Sequence, residues 1–301
     1  MGALSPSGAE RGRTDGVVVI DKPAGWTSHD VVARCRRIYG QRGVGHSGTL
    51  DPGATGVLLI GLGRATRLLR FLTDLPKRYT AELVLGVGTS TLDDSGAVVA
   101  RADAAGVTDE QVRAAAASLT GPILQVPPMV SAVRVGGQRL HALARQGIEV
   151  ERAARPVTVH AFTVSPTDEP AVWRMAVTCS SGTYVRVLAA DVGAAVGVPA
   201  HLRHLRRTAI GSLGEDRARA LEAVTADPAG AVLTPAEALA DYATVVVDEQ
   251  AAQAVAHGRP VLGSRAEGDG PWRVLGPGGA LLAVYERGPS GTLVPAVVLS
   301  A

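Results

Sequence analysis

Apolar residues occur in short clusters along the chain, separated by Gly, Pro and charge, and the spacing inside each cluster assigns an element. Gly16–Ile20 is an uninterrupted apolar run ended by Asp21-Lys22-Pro23-Ala24-Gly25, which reads as a short strand and a break. Ser28 is placed to cap a helix running to about Tyr39, with Val31, Val32 and Cys35 on one face and Arg34, Arg36 and Arg37 on the other. Gly40 to Gly56 reads as a long Gly-rich loop, Val57–Leu62 as a strand, Arg64–Leu72 as a short helix carrying three arginines, and Tyr79–Val87 as a strand. Thr108 with Gln111, and Thr234 with Glu237, have capping-box spacing. Val157–Val164 and Val172–Cys179 read as strands and Thr183–Val196 as a helix. From about Thr244 the pattern changes to short strands broken by Gly/Pro clusters, which predicts a small all-β module.

These elements predict an α+β protein: a flexible tail over 1–14, a first domain over 15–240 with an insertion at about 126–152, and a β-rich second domain over 244–301. At 301 residues with 46% hydrophobic content the chain has enough apolar material for a large core, which excludes global disorder. Aromatics are only 3%, so that core rests on Val, Leu, Ile and Ala. No stretch approaches the ~18 apolar residues of a membrane helix, and residues 1–15 lack a signal-peptide core, so the expected location is cytoplasmic. Cys35 and Cys179 have no metal-like spacing and are expected to be buried thiols in a reducing compartment.

Net charge is only +2, but its distribution is uneven. Residues 126–213 carry 10 basic and 5 acidic side chains, whereas 214–301 carry 6 and 11. A polyanion would be drawn to the middle of the chain, since Arg displaces condensed counterions as it contacts phosphate.

The densest chemical signal is Gly45-His46-Ser47-Gly48-Thr49-Leu50-Asp51-Pro52-Gly53-Ala54-Thr55-Gly56. Four glycines allow close backbone approach to a ligand. Pro52 pushes Asp51 toward extended backbone, presenting its carboxylate outward for covalent or acid/base chemistry. Taken alone, Asp51 before Pro52 reads first as a turn residue bonding backbone amides. No Gly-Lys-Ser/Thr follows, and the GxG pairs at 61–63 and 86–88 lack the dinucleotide fingerprint, which makes a nucleotide-dependent enzyme remote.

The run His46-x-Gly48-x-Leu50-Asp51-Pro52-x-Ala54-Thr55-Gly56 resembles the catalytic signature of the TruB family of pseudouridine synthases. Asp21-Lys22-Pro23-x-Gly25-x-Thr27-Ser28, Lys77-Arg78-Tyr79, Gly182-Thr183-Tyr184-Val185-Arg186 and Leu205-Arg206-Arg207 resemble further motifs of the same family, in family order, across residues 16 to about 213. The resemblance implies a pseudouridine synthase fold with a mixed, largely antiparallel sheet and a PUA-like C-terminal domain. It implies isomerisation of a uridine in the T arm of tRNA, at position 55, with no cofactor and no metal. Asp51, Tyr79 and Arg186 are then the catalytic set: the carboxylate acts at the ribose, the ring stacks on the everted base, and the guanidinium keeps Asp51 charged. His46, Lys22, Tyr184, Leu205 and Gly48 are implied at the substrate, with Lys22 supporting the site, meeting a phosphate or lying as a strand-end surface lysine. Arg134, Arg139 and Arg145, with His141, would meet RNA phosphates from the insertion. Arg203, Arg206 and Arg207 would extend that basic surface, and His201 and His204 would be RNA-facing or structural. The expected partner is tRNA alone, without guide RNA or membrane, and the expected state is a monomer. A non-catalytic RNA-binding protein and a guide-RNA-dependent synthase are the rivals.

Overall fold

The computed structural model describes residues 13–131, 134–135, 137–139, 146–260, 266, 268–288 and 292–299. Its main feature is a ten-stranded mixed sheet. The strands used below are β1 (Gly16–Lys22), β2 (Val44–Ser47), β3 (Thr55–Leu62), β4 (Lys77–Leu85), β5 (Val87–Thr89), β6 (Val98–Arg101), β7 (Gly121–Gln125), β8 (Arg134–Val135), β9 (Gln138–Arg139), β10 (Arg155–Pro166), β11 (Val172–Cys179), β12 (Ala200–Ile210), β13 (Leu213–Gly214) and β14 (Val232–Leu233). The order is β14-β1-β3-β12-β4-β11-β10-β7, with β2 on β3 and β13 on β12. Every pairing is antiparallel except β3 with β12, which is limited to Arg206 opposite Thr55 and Arg207 opposite Gly56. That short parallel seam divides the sheet into two halves.

Each half has its own core. On one side, Leu83, Met175, Val177 and Leu202 pack against α3 (Asp109–Ser118) and α4 (Val185–Ala195) through Val112, Ala116, Leu188 and Val192. On the other side, α1 (Ser28–Tyr39) lays Val31, Val32, Cys35 and Tyr39 onto Val18, Ile20, Leu58 and Ile60. The opposite face of that half packs on Leu68, Phe71 and Leu72, the last two from α2 (Leu69–Asp74).

Several boundaries differ from the sequence expectation, each for a local reason. α1 is capped by Thr27 and not by Ser28: the Thr27 hydroxyl accepts from the Asp30 amide at 3.1 Å and the Asp30 carboxylate accepts from the Thr27 amide at 2.9 Å. The first strand continues two residues further, to Lys22, because Asp21 and Lys22 still pair with Val57 and Gly56. The stretch from Gly40 to Gly56 is not all loop, since Val44–Ser47 forms β2 on β3. Arg64–Leu72 divides into a 3₁₀ turn (Gly63–Leu68) and α2.

The largest difference is β12, which the polar run His201–Arg207 conceals. The register between β12 and β4 shifts between Arg203 and Arg206, and His204 has a left-handed φ of 55°. This bulge puts an extra residue in β12, so Leu205 and Arg207 take over the face that Leu202 occupied before it.

The C-terminal sheet, β15 (Ala243–Val246), β16 (Trp272–Leu275), β17 (Leu281–Arg287) and β18 (Leu293–Val298), is not all-β: a helix at Glu249–Ala256 sits against it, capped by Asp248 and burying Val255. The sheet packs on the first domain through Leu281, Val284 and Val297. Arg64 and Arg67 donate to the carbonyls of Leu299 and Val298, and Arg70 pairs with Glu286 of β17 at 3.2 Å, so all three arginines noted in that segment serve this contact.

Candidate active site

The site lies beside the parallel seam, since Arg207, which pairs with Gly56 there, also lines its cleft. The loop Gly48–Ala54 connects β2 to β3, and residues of the other motif segments hold it down. The Ser28 hydroxyl, freed from capping, accepts from the Leu50 amide at 3.0 Å and donates to the Leu50 carbonyl at 3.3 Å. Lys22 is fully buried and donates to the carbonyls of Pro23, Trp26 and Pro52 at 2.9, 2.7 and 3.2 Å. Of its expected roles, this leaves support of the loop: the residue is not on the surface, and its three N–H donors are spent on carbonyls, so none remains for a phosphate. Burial lowers its pKa to about 8, partly opposed by Asp51. Gly25 adds a 2.8 Å backbone bond to Pro52.

Beneath the loop lies Arg207, 1% exposed, donating to the Val57 carbonyl at 2.7 Å and to the Gly48 carbonyl at 2.9 Å. The loop presses on it closely: a Cβ at Gly48, whose φ is +73°, would sit 3.2 Å from the guanidinium, and one at Gly56 would collide with the Arg207 backbone at 2.2 Å. Arg207 is therefore a buried pillar under the loop and not part of an RNA-facing surface. Its neighbours Arg203 and Arg206 stay partly exposed, at 24% and 33%, but their charges are matched by acids. Arg203 pairs with Glu82 and Glu169, and Arg206 with Glu215 and, bidentately at 3.0 Å, with Asp21. His201 is buried with Nδ1 on the Val87 carbonyl, and His204 faces Glu82.

Asp51 projects into a cleft of about 250 Å³ whose walls include Tyr79, Tyr184, Arg186, Leu205 and Arg207. Its side chain is 42% exposed, while its partner Arg186 is 4% exposed, at 3.1 Å. The carboxylate is thus committed to a guanidinium and not to a turn. Arg186 lies in the first turn of α4, where the helix dipole disfavours a cation. A second carboxylate offsets this: Asp93 is 3.3 Å away, and Arg186 also donates to the Thr91 and Val130 carbonyls.

Asp93 was not found by sequence reasoning, because it sits in an unremarkable Thr-Leu-Asp-Asp-Ser turn. Thr91 and the Ser95 amide donate to its other oxygen, and Asp94 and Leu92 bond Leu202 of β12. The turn contains Leu92 at a φ of +63°, a conformation that costs a branched side chain about 1–3 kcal/mol. Desolvation raises the Asp51 pKa; Arg186 pulls it down, Asp93 pushes it up and Lys22 pulls it down.

Tyr79, at the floor of the cleft, is paired in register with Arg207. Burial raises the pKa of its hydroxyl and Arg207 opposes the rise, which favours the neutral phenol near pH 7. His46 lies in β2, its ring edge-to-face with His29 at 5.3 Å. Burial, His29 and Arg207 depress it to about 4, so it is a neutral imidazole at physiological pH. Its Nδ1 is buried with no hydrogen-bond partner among the described residues. Tyr184 caps α4 by position, its amide and carbonyl both held by the buried Gln125 side chain. Leu205 is delivered to the wall by the β12 bulge. Of the insertion, β8 and β9 form a two-stranded hairpin pairing Arg134 with Arg139. The side chains of Arg134 and Arg139, and the whole of His141 and Arg145, lie outside the described residues.

A mixed sheet with one parallel seam, beside which a carboxylate is held by a buried guanidinium and faced by an aromatic floor, is the pseudouridine synthase architecture. The chain aligns with a solved structure of that class, in "Crystal Structure of a Cbf5-Nop10-Gar1 Complex", with a TM-score of 0.71 and 26% identity over 90% of this chain and 78% of that one. Residues 36–185 match the TruB family pseudouridylate synthase N-terminal domain. The chain is 47% identical over 280 residues to tRNA pseudouridine synthase B of Mycobacterium sp. (strain KMS), covering 92% of this chain and 94% of that protein. It is also 47% identical over 294 residues to the protein of that name from Thermobifida fusca (strain YX), covering 95% and 99%. The chain belongs to the TruB family of pseudouridine synthases, which are isomerases.

Proposed function

We propose that this protein isomerises a uridine in the T arm of tRNA, at position 55, to pseudouridine, with Asp51 as the catalytic carboxylate. The observation that carries the reading is the Asp51–Arg186 pair at 3.1 Å: a carboxylate exposed to a cleft on one side and fixed by a nearly inaccessible cation on the other. The uridine must leave its stack to reach it, at a cost of a few kcal/mol. Stacking on Tyr79, roughly 1–3 kcal/mol, offsets that cost, with Leu205 as the apolar wall. The ionised Asp51 then acts at the ribose, either by bonding to C1′ or by deprotonating the sugar, as the C1′–N1 bond breaks. The uracil turns, the C1′–C5 bond forms, N1 takes up a proton and C5 releases one. Substrate and product are isomers, so the chemistry calls for no redox cofactor or energy source.

The arginines of the insertion, 134, 139 and 145, engage backbone phosphates, and the enzyme reads the folded shape of the T arm. The C-terminal sheet is a PUA-like module. The protein acts as a monomer without guide RNA. The test is tritium release from an unmodified tRNA transcript labelled at uridine C5, incubated with the pure protein. Stoichiometric release from one site is expected, and its loss in Asp51→Asn with RNA binding retained. No release without an added RNA or protein partner would favour the guide-dependent rival, for which the likeness to a Cbf5 complex is the supporting observation.

A further inference from the structure

The chain has three tryptophans. Trp173 and Trp272 are core residues, 6% and 0% exposed, whereas Trp26 is 37% exposed on the segment that follows β1. An indole left open to water loses much of its burial gain, so its position calls for an explanation. Its backbone is unusually well fixed. The buried Lys22 ammonium holds the Trp26 carbonyl and the Pro52 carbonyl together, and Pro52 follows Asp51 directly. Gly25, the preceding residue, donates to the same Pro52 carbonyl at 2.8 Å. The indole is thus carried on a segment locked to the catalytic loop.

The chemistry around it is that of a base-binding surface. Pro23 to Thr27, Pro52 and Gly53 are all exposed and carry no charge. His29, three residues beyond Trp26 and also exposed, meets His46 edge-to-face. Two exposed aromatic residues, Trp26 and His29, are thus carried on a segment tied to the loop that bears Asp51. Phosphate contact falls to the arginines elsewhere. Bases adjoining a flipped nucleotide lose a stacking neighbour and gain most from a rigid aromatic face.

We propose that Trp26 is a stacking platform for an RNA base next to the target uridine, a substrate contact additional to the catalytic set. This rests on the tRNA-modifying reading above. The measurement is the indole emission of the full-length Asp51→Asn protein titrated with unmodified tRNA transcript, together with acrylamide quenching and a parallel binding curve from labelled RNA. With the other two tryptophans buried, the accessible emission belongs to Trp26. Saturable quenching by RNA, loss of acrylamide access in the complex, and disappearance of both changes in Trp26→Phe are expected. In the active protein, Trp26→Ala should raise KM about tenfold with kcat at saturation within about twofold, and Trp26→Phe should restore most of the loss. Unchanged emission and unchanged acrylamide access at saturating RNA overturn the proposal, even if tritium release in the wild type upholds the enzymatic reading. Failure of the wild type both to bind and to isomerise tRNA overturns both.

Discussion

Arg186 and Arg207 are both all but inaccessible and both border the same cleft, yet they are solvated by the protein in opposite ways. Arg186, on the α4 side, is neutralised by Asp51 and Asp93. Arg207, on the seam side, has its described hydrogen bonds on the carbonyls of Val57 and Gly48. A guanidinium shared between carboxylates sets how strongly each holds its charge, whereas one bound to peptide carbonyls fixes where a backbone lies. One arginine therefore governs the protonation of Asp51 and the other governs its position. The two substitutions should fail differently.

The largest effect is expected for Arg186→Met. Removing one partner of a buried ion pair costs about 3–5 kcal/mol and here leaves two carboxylates facing each other. Expressed in the transition state, that is roughly 10²–10⁴-fold in kcat/KM. The acid limb of the pH–rate profile should also move to higher pH, because desolvation of Asp51 is then unopposed by its main cation. A profile with an unmoved acid limb would end the claim that Arg186 controls the charge.

Arg207→Lys keeps a cation beneath the loop but gives up the two-pronged grip. Loss of one charge-assisted bond, about 1.5–3 kcal/mol, should appear both in the denaturation midpoint and as a kcat reduced about 10-fold or more. The acid limb should stay in place. A shift of that limb as large as that of Arg186→Met would erase the distinction between the two arginines.

The smallest effect on rate, and the sharpest on pH, belongs to Asp93→Asn. Asp93 raises the Asp51 pKa by like charge. A neutral amide removes that push, so the ionised, active form of Asp51 should persist to lower pH and the acid limb should shift downward. The plateau rate should fall by less than about tenfold, since Asn can still bond the guanidinium. An upward shift, measured in the same tritium assay, would mean that Asp93 acts mainly by orienting Arg186.

How much of this was legible in the chain depended on whether the signal was local. Capping boxes at Thr108 and Thr234 form as expected, because both partners lie within one helical turn. The strands around Val157 and Val172 appear where alternation marks them. The α1 boundary was misplaced by a single residue with a large consequence, as Ser28 belongs to the loop 22 residues away and not to its own helix. β12 escaped notice since its bulge breaks the alternation that would have marked it, and its charges are matched by acids from other segments. Arginines that look like a basic face in one dimension are charge-matched when Asp21, Glu82, Glu169 and Glu215 are brought beside them.

The sequence by itself determined the family, the α+β class and the lone carboxylate in a Gly-rich loop, because short motifs and periodic burial are properties of neighbours along the chain. The tertiary structure decided the rest: that Lys22 and Ser28 pin that loop, that Asp93 shares Arg186, that Arg207 lies underneath, and that Trp26 is tied to the loop through Lys22. Each of these joins residues far apart in the chain. Their pairing is driven by the cost of burying unmatched charge and unbonded peptide groups, which only the folded chain can avoid.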